Sequence, residues 1–314
     1  MSDFIFFLKS HRANKTVDKP AISHLCLHPD CFKGCYNVSD EELDSFYELY
    51  TNFLGSGGEI GLLEKHQDRK YYPLFFDIDF RDEEETDRLY NSEEIARFVR
   101  SVYSAALKYV QFDQLECYVA EHPRVDCPHK DGLHIYFDVL VNQDVHTLIR
   151  SDLVGDMASC FSSFREPDDL DPCIIRRNVL LMIGANKPER SGYFVTSVYT
   201  VKEGGAVFCE ASARSLLDQV RLTSIRRIGA EQPDFTDAVL AIPGGKSAGK
   251  TAKGKAYDDT EVYTEVHITY AKKFAHLLSK KRLSNYDTWL EVAMTMYNIS
   301  PELYETFDLI SQKT

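Results

Sequence analysis

Two aspartates separated by one residue lie inside a short hydrophobic stretch, and this pattern most constrains the fold of the chain. Residues 75–80 read Phe-Phe-Asp-Ile-Asp-Phe, which is typical of a buried strand. Because side chains alternate between the faces of a strand, Asp77 and Asp79 are expected on one face. The other face would carry Phe76, Ile78 and Phe80 into a core. Two adjacent carboxylates repel each other unless a divalent cation binds between them, so the pattern predicts a metal site suited to the transfer of a phosphoryl or nucleotidyl group.

The composition is that of a globular protein with a sizeable core. The 314 residues are 44% hydrophobic and 12% aromatic, which favours one large domain or two smaller ones and excludes a largely disordered chain. No apolar run is long enough to cross a bilayer. The apolar run Phe4–Leu8 is shorter than a secretion signal and leads directly into Lys9. We therefore expect a soluble, intracellular protein without a membrane partner.

The charges are segregated along the chain. The net charge of −13 counts against a uniformly basic nucleic-acid-binding surface. Acidic residues nevertheless cluster at Asp82–Glu85, and basic residues cluster at Arg176–Arg177 and at Lys280–Arg282. An enzyme that binds metals through acids and phosphates through bases needs such a distribution.

The eight cysteines include one cluster, in which Cys26, Cys31 and Cys35 lie near His24 and His28. Their spacing fits no standard zinc motif. We interpret them as free thiols in a reducing compartment. A zinc site built from these cysteines and histidines is the alternative.

Hydrophobic periodicity predicts interleaved helices and strands. Helices are predicted after the capping box at 39–42, after Ser92, and near 143–164. Strands are predicted at 75–80, 115–120, 133–141, 174–183, 195–201 and 206–209. In the strand at 133–141, the alternation places His134 and Tyr136 on a face turned away from the core. Sheets with one open face favour an α+β fold over a doubly wound parallel sheet.

Residues 243–258 have linker composition, and 259–314 are predicted to be helical, with helices at 266–283, at 284–297 and from Ser300–Pro301. Within the linker, Gly244, Gly249, Lys250 and Thr251 satisfy the phosphate-loop pattern. Such a loop works only between a buried strand and a helix N-terminus. The residues that follow are poor helix formers, so we interpret the segment as a flexible basic linker that can contact nucleic acid.

Further polar residues could complete a site around the two aspartates. His134 follows Gly132, whose missing side chain would let a phosphate approach the backbone. Asp171 lies at a turn. The basic residues close to them in sequence, which could neutralise a triphosphate, are Lys130, Arg176, Arg177 and Lys187. Each of these also has an ordinary structural explanation, as a solvated sheet histidine, a turn aspartate or an exposed basic face.

In this order, the motifs resemble the archaeo-eukaryotic primase superfamily. More narrowly, they resemble the primase domain of the poxvirus-type helicase–primases of large DNA viruses. The resemblance rests on Asp77 and Asp79, on Gly132–His134 and on Asp171. Supporting segments are Glu64–Lys65, the stretch 171–187 with its Gly-x-x-Lys turn, and 286–313, which is similar to the helical region that follows the catalytic domain. The stretch 181–183 lacks the aromatic residue that the family often carries before this turn.

The resemblance implies an α+β fold, with a primase catalytic core over residues 1–242. This core would contain an RRM-like antiparallel sheet and an N-terminal α/β unit, followed by the linker at 243–258 and a truncated helical region at 259–314. It also implies that Asp77, Asp79 and Asp171 hold Mg²⁺ or Mn²⁺. The triphosphate of the incoming nucleotide would be bound by His134, Lys130 and Lys187, with Arg176 or Arg177 as a further contact.

The function that the resemblance implies is template-directed primer synthesis from nucleoside triphosphates on single-stranded DNA. A ring helicase would lie on the same full-length chain, and the site of action would be viral replication sites in the host cytoplasm or nucleus. Two alternatives stay open: a catalytically silent module that binds nucleic acid or a helicase, and a metal-dependent glycosyltransferase with the same Asp-x-Asp pair. The latter gives no reason for Lys130, His134 and Asp171 to follow in this order.

Overall fold

The computed structural model describes residues 3–13, 22–66, 68–82, 87–123, 130–176, 179–187, 190–227, 233–240, 265–275 and 303–312, together with residues 278, 292, 296 and 300. The chain divides into two compact units, Met1–Asp234 and Phe235–Thr314. All of the described strands belong to the larger unit. The linker predicted at 243–258, with its phosphate-loop pattern, lies outside the described residues.

The larger unit interleaves helices and strands, as the periodicity predicts. Its elements are α1 (Asp3–Ser10), β1 (Arg12–Ala13), β2 (His24–Cys26), β3 (Gly34–Tyr36), α2 (Leu43–Gly55), β4 (Leu62–Glu64), β5 (Tyr72–Arg81), α3 (Ser92–Ala106), β6 (Gln114–Glu121), β7 (Lys130–Val141), α4 (Gln143–Val154), α5 (Met157–Cys160), α6 (Cys173–Arg176), β8 (Leu180–Leu181), β9 (Phe194–Lys202), β10 (Val207–Ala211) and α7 (Leu216–Thr223). The smaller unit contributes α8 (Asp237–Leu240), α9 (Glu265–Ala275) and α10 (Tyr304–Ser311).

The larger sheet has the strand order β10-β9-β6-β7-β5, and all of its neighbouring strands are antiparallel. Its apolar face packs on α3, where the rings of Phe76 and Phe98 lie 5.7 Å apart. The side chain of Asn91 begins α3 by accepting hydrogen bonds from the backbone N–H groups of Glu93 and Glu94. The predicted alternation of β5 is confirmed, since Phe76, Ile78 and Phe80 are buried whereas Asp77 and Asp79 are partly exposed.

The smaller sheet has the antiparallel order β1-β3-β2-β4-β8. Helix α2 follows the predicted capping box, in which Ser39 N and Oγ donate hydrogen bonds to the Glu42 carboxylate. The helix lies against this sheet, because the hydroxyl of Tyr50 donates to Ile183 O at 2.9 Å just beyond β8. With two antiparallel sheets and helices beside them, the α+β fold class is confirmed.

Two local predictions are wrong. The strand predicted at 174–183 consists of a helical turn, α6, and the short β8. Asp171 Oδ1 accepts a hydrogen bond from Cys173 N at 2.7 Å, and this aspartate turn starts a helical conformation rather than a strand. The helix predicted near 143–164 is divided into α4 and α5, and Gly155, a poor helix former, lies at the break.

The expectation of an open sheet face is also wrong. His134 is 4% and Tyr136 is 2% exposed, although the alternation places them away from the α3 side. Tyr136 lines a small cavity together with Glu64 of β4, Leu180 of β8 and Val220 of α7. A second layer therefore covers this face of the larger sheet, and polar side chains lie between the two layers.

The smaller unit has a compact helical core in its described part. Ala271 and Ala275 of α9 share a buried cluster with Phe307 and Ile310 of α10. The helical pattern predicted for this region is confirmed for α9 and α10. Among the described residues, no helix combines the length and the apolar character needed to cross a membrane.

Candidate active site

The candidate site begins with the two aspartates of β5, which project from the face that the second layer covers. Their side chains are 18% and 24% exposed for Asp77 and Asp79, respectively. The Oδ1 atoms of both carboxylates are buried, and neither has a hydrogen-bond partner among the described residues. Asp79 Oδ2 forms an ion pair with Lys130 Nζ at 2.7 Å. Each of the two carboxylates therefore has an oxygen atom that can still accept a hydrogen bond or bind a cation.

His134 lies directly opposite Asp77 in the register of β5 and β7. Its Nε2 atom is 3.5 Å from Asp77 Oδ1. Burial, followed by the charges of Lys187 and Lys130, lowers the pKa of His134 well below its ordinary value. The imidazole is therefore neutral at physiological pH, and one of its two nitrogens carries a proton.

Asp171 lies beside Asp77 although 94 positions separate them in the sequence. Asp171 N donates a hydrogen bond to Asp77 O at 2.9 Å, and Ile78 forms an isolated antiparallel bridge with Leu170. The next pair in that register is Asp77 with Asp171, so both side chains lie on the same face of the strand. The structure therefore brings the third predicted acid to the pair.

The electrostatics of Asp77 reflect this crowding. Burial, together with the charges of Asp79 and Asp171, raises the pKa of Asp77 to about 8, even though Lys130 and Lys187 act in the opposite direction. A carboxyl group with such a pKa is destabilised when it ionises. A divalent cation would remove this cost, because its charge exceeds that of either lysine.

Lys187 approaches the site from the turn that follows β8. Gly184 has a φ of 77° and donates its N–H to Tyr193 O at 2.8 Å, which closes the turn at a backbone angle that favours glycine. Lys187 is exposed, and its charge acts on both Asp77 and His134. The side chain of Arg176 and all of Arg177 lie outside the described residues, so both stay sequence-based predictions.

Gly132 makes room for neighbouring side chains of the protein and not, as expected, for a phosphate. A Cβ atom there would lie 2.6 Å from Tyr193 Oη and 3.0 Å from Asp79 Oδ1. The space beside the strand is occupied by the tyrosine hydroxyl, so it is not free for a phosphate. Tyr193 was not among the predicted site residues, because it precedes the periodic part of β9 and no motif includes it.

The donor set suits a hard divalent cation. Among the described residues, no three His, Cys, Asp or Glu side chains already converge as a finished coordination sphere. Carboxylate oxygens are nevertheless the ligands that Mg²⁺ and Mn²⁺ prefer, and Asp77 and Asp79 each have one buried oxygen without a hydrogen-bond partner. Lys130 is the group that a cation would displace from Asp79.

The cysteine cluster shows no comparable arrangement. Cys26, Cys31 and Cys35 are free thiols, and within the described residues they form no metal-binding group with histidines. Cys26 Sγ donates a hydrogen bond to His28 O, and burial raises the pKa of its thiol to about 11. The thiol is therefore protonated in this structure.

Comparisons with known proteins place the chain in a family. Residues 27–199 match the family described as the N-terminal AEP domain of the C962R protein, in which AEP denotes archaeo-eukaryotic primase. The match includes Asp77, Asp79, His134 and Asp171. The chain is also similar to the putative helicase L207/L206 of Acanthamoeba polyphaga mimivirus, at 23% identity over 352 aligned residues. The alignment covers 99% of this chain and 36% of that protein, so the chain spans about a third of the relative's length.

Proposed function

Because the chain belongs to the family of C962R-type archaeo-eukaryotic primase domains, we propose that it is a DNA primase that joins nucleotides into primers on a single-stranded template. The observation that carries the proposal is that Asp77, Asp79 and Asp171 share one face beside a neutral histidine and two lysines. The other strands of the sheet supply no comparable set of acids among the described residues.

The residues divide the chemistry between them. Two Mg²⁺ or Mn²⁺ ions, when bound, would stabilise the attacking and leaving oxygens of an in-line displacement at the α-phosphate. Asp77, Asp79 and Asp171 would hold these ions. Lys130 and Lys187 would neutralise the triphosphate, and Arg176 and Arg177 are proposed to extend this basic surface. His134 would donate a hydrogen bond from Nε2 to a phosphate oxygen.

The biological setting is proposed from the similar viral protein. That relative is a putative helicase, and the chain matches only part of its length. We therefore propose that the primase works with a ring helicase on the same full-length chain during viral genome replication. It would act at replication sites within the infected cell, in the cytoplasm or the nucleus.

The test is incorporation of labelled nucleotides on single-stranded DNA in the presence of Mg²⁺ or Mn²⁺. The wild-type chain should make template-dependent products, and the double variant Asp77→Asn with Asp79→Asn should make none. Asp138→Asn is a matched control on β7, where the carboxylate accepts a hydrogen bond from Glu116 N, away from the pair. Undiminished synthesis by the double variant would refute the proposal. Tight binding of single strands without metal-dependent nucleotide binding would favour a catalytically silent module instead.

A further inference from the structure

Two buried tyrosines enclose His134, and neither has a part in the chemistry described above. The ring of Tyr193 stacks on the imidazole, with centroids 3.8 Å apart and planes 11° apart. Tyr136 Oη lies 3.4 Å from His134 Nδ1. The stack fixes the plane of the imidazole, so Nδ1 is directed toward Tyr136 while Nε2 is directed toward Asp77.

The position of the single imidazole proton decides what His134 can do. If Nδ1 carried the proton, Nε2 would present a lone pair to Asp77 Oδ1 at 3.5 Å and to any phosphate oxygen at the site. A lone pair there forms no hydrogen bond with a phosphate oxygen, and it forms none with Asp77 above about pH 8, where that carboxyl group has lost its proton. If Nε2 carries the proton, Nδ1 is free to accept a hydrogen bond from the hydroxyl of Tyr136.

The surroundings of Tyr136 keep its hydroxyl available as a donor. Among the described residues, His134 Nδ1 is its hydrogen-bond partner. Burial and the charge of Glu64 raise the pKa of Tyr136 well above its ordinary value, so the phenol keeps its proton. Glu64 is not the acceptor of the hydrogen bond from the Tyr136 hydroxyl. Its carboxylate accepts hydrogen bonds from the Ser224 hydroxyl at 2.8 Å and from Ile225 N at 3.0 Å.

We propose that Tyr136 is a positioning residue that holds His134 in the tautomer with the proton on Nε2, so that this histidine meets a phosphate as a neutral, directed hydrogen-bond donor. The phosphate ligand in this statement rests on the proposed function, whereas the tautomer does not. Lys130 and Lys187 then supply the positive charge at the site, and the hydrogen bond from His134 fixes the orientation of the phosphate.

Long-range ¹H–¹⁵N correlation spectra of the whole chain test the tautomer directly, since they distinguish a protonated from an unprotonated ring nitrogen. The His134→Gln variant assigns the His134 signals by their loss. In the wild type above pH 8, where Asp77 is ionised, His134 should carry its proton on Nε2. In Tyr136→Phe, which removes only the hydroxyl, the form protonated on Nδ1 should become populated.

Tyr118→Phe is the matched control for these spectra. Tyr118 is paired with Tyr136 in the register of β6 and β7, and its hydroxyl donates to Glu116 instead of a histidine. This variant should leave the tautomer of His134 unchanged. A wild-type His134 protonated on Nδ1 would overturn the proposal without any variant, as would an unchanged tautomer in Tyr136→Phe.

Nucleotide binding, measured by calorimetry with Mg²⁺, tests the consequence. Tyr136→Phe should weaken binding about 3- to 10-fold, which is the range expected for one lost hydrogen bond. In a His134→Gln background the same change should have no effect, because the glutamine amide donates without needing a tautomer. Equal weakening in both backgrounds would show that Tyr136 acts independently of His134 and would overturn the proposal. If the wild type bound no nucleotide, the proposed function would fail, while the spectra would still decide the tautomer.

Discussion

Two carboxyl groups of the larger unit, each with a buried oxygen atom, have opposite surroundings. Glu64 of β4 accepts hydrogen bonds from the hydroxyls of Tyr47 and Ser224 and from Ile225 N. Burial alone would raise the pKa of Glu64, but His24 and these donors lower it overall. Asp77 of β5 has a buried oxygen without a hydrogen bond, and its pKa is raised to about 8.

The contrast separates a structural acid from a functional one. A buried charge that is fully hydrogen-bonded ties the elements around it together, and here Glu64 connects β4 with α2 and with the residues after α7. A buried carboxyl group that lacks partners carries a cost when it ionises, which protonation or a bound cation removes, and such groups are concentrated at functional sites. Glu64, which lies in one of the motifs that support the family resemblance, is thus explained by the fold rather than by the chemistry.

The largest expected difference is in activity. Asp77→Asn should lower primer synthesis about 1,000-fold, since the lost carboxylate removes several kcal/mol of metal-mediated stabilisation from the transition state. Initial rates of nucleotide incorporation at saturating Mn²⁺ measure the effect. Asp138→Asn is the control. The wild-type Asp138 carboxylate accepts a hydrogen bond from Glu116 N, and the variant should retain nearly full activity. A loss of less than tenfold in Asp77→Asn would remove the distinction between the two acids.

The next largest effect is on stability, and it concerns the other acid. Glu64→Ala should lower the free energy of unfolding by about 3 kcal/mol, because it leaves several buried donors without an acceptor. The melting temperature should fall by roughly 6–12 °C in a unit of this size. Urea denaturation followed by circular dichroism gives the free energy. A loss below about 1 kcal/mol would contradict the structural role assigned to Glu64.

The two acids should also give opposite pH dependences of stability. Asp77 holds its proton up to about pH 8 when folded, compared with an ordinary value of 3.8, so the folded chain binds more protons between these values. When a chelator keeps metal ions away from the site, this contribution makes the free energy of unfolding fall as the pH rises from 3.8 to about 8. Glu64, whose pKa is lowered from 4.5, contributes stability that is lost as pH falls. The melting temperature of Asp77→Asn should therefore exceed that of the wild type clearly at pH 8, and the difference should shrink to almost nothing near pH 4. A constant difference would contradict the raised pKa.

The smallest effect distinguishes the two lysines near the pair. Lys130→Gln should bind Mn²⁺ about tenfold more tightly without nucleotide, because the cation no longer has to displace Lys130 from Asp79, and it should bind nucleoside triphosphate about tenfold more weakly. Lys187→Gln removes the same charge without an ion pair to Asp79, so its gain in Mn²⁺ affinity should be smaller. Calorimetric titrations give both constants. Equal gains in Mn²⁺ affinity would show that only long-range charge matters.

The sequence was sufficient to predict those parts of the site that depend on local periodicity. The alternation within β5 and β7 places Asp77, Asp79 and His134 on one face, and the structure agrees. The capping box before α2 is likewise a local pattern. Alternation describes a strand and the layer on which it packs, and it does not report a second layer on the opposite face.

The other features depend on contacts between distant segments. The burial of Tyr136 results from β4, β8 and α7, which no periodicity within β7 can indicate. The stack of Tyr193 on His134 requires the turn at Gly184, which returns the chain to the sheet. The position of Asp171 followed only from the family resemblance, because its backbone bond to Asp77 joins segments far apart in sequence.

The most direct test of the account is a crystal structure of the chain with Mn²⁺ and a non-hydrolysable nucleotide, with the metal located by anomalous scattering. We predict manganese peaks between the carboxylates of Asp77, Asp79 and Asp171, with Lys130 Nζ moved from Asp79 to the triphosphate. Anomalous peaks elsewhere on the molecule, with Lys130 still bound to Asp79 and no metal at the aspartates, would contradict it.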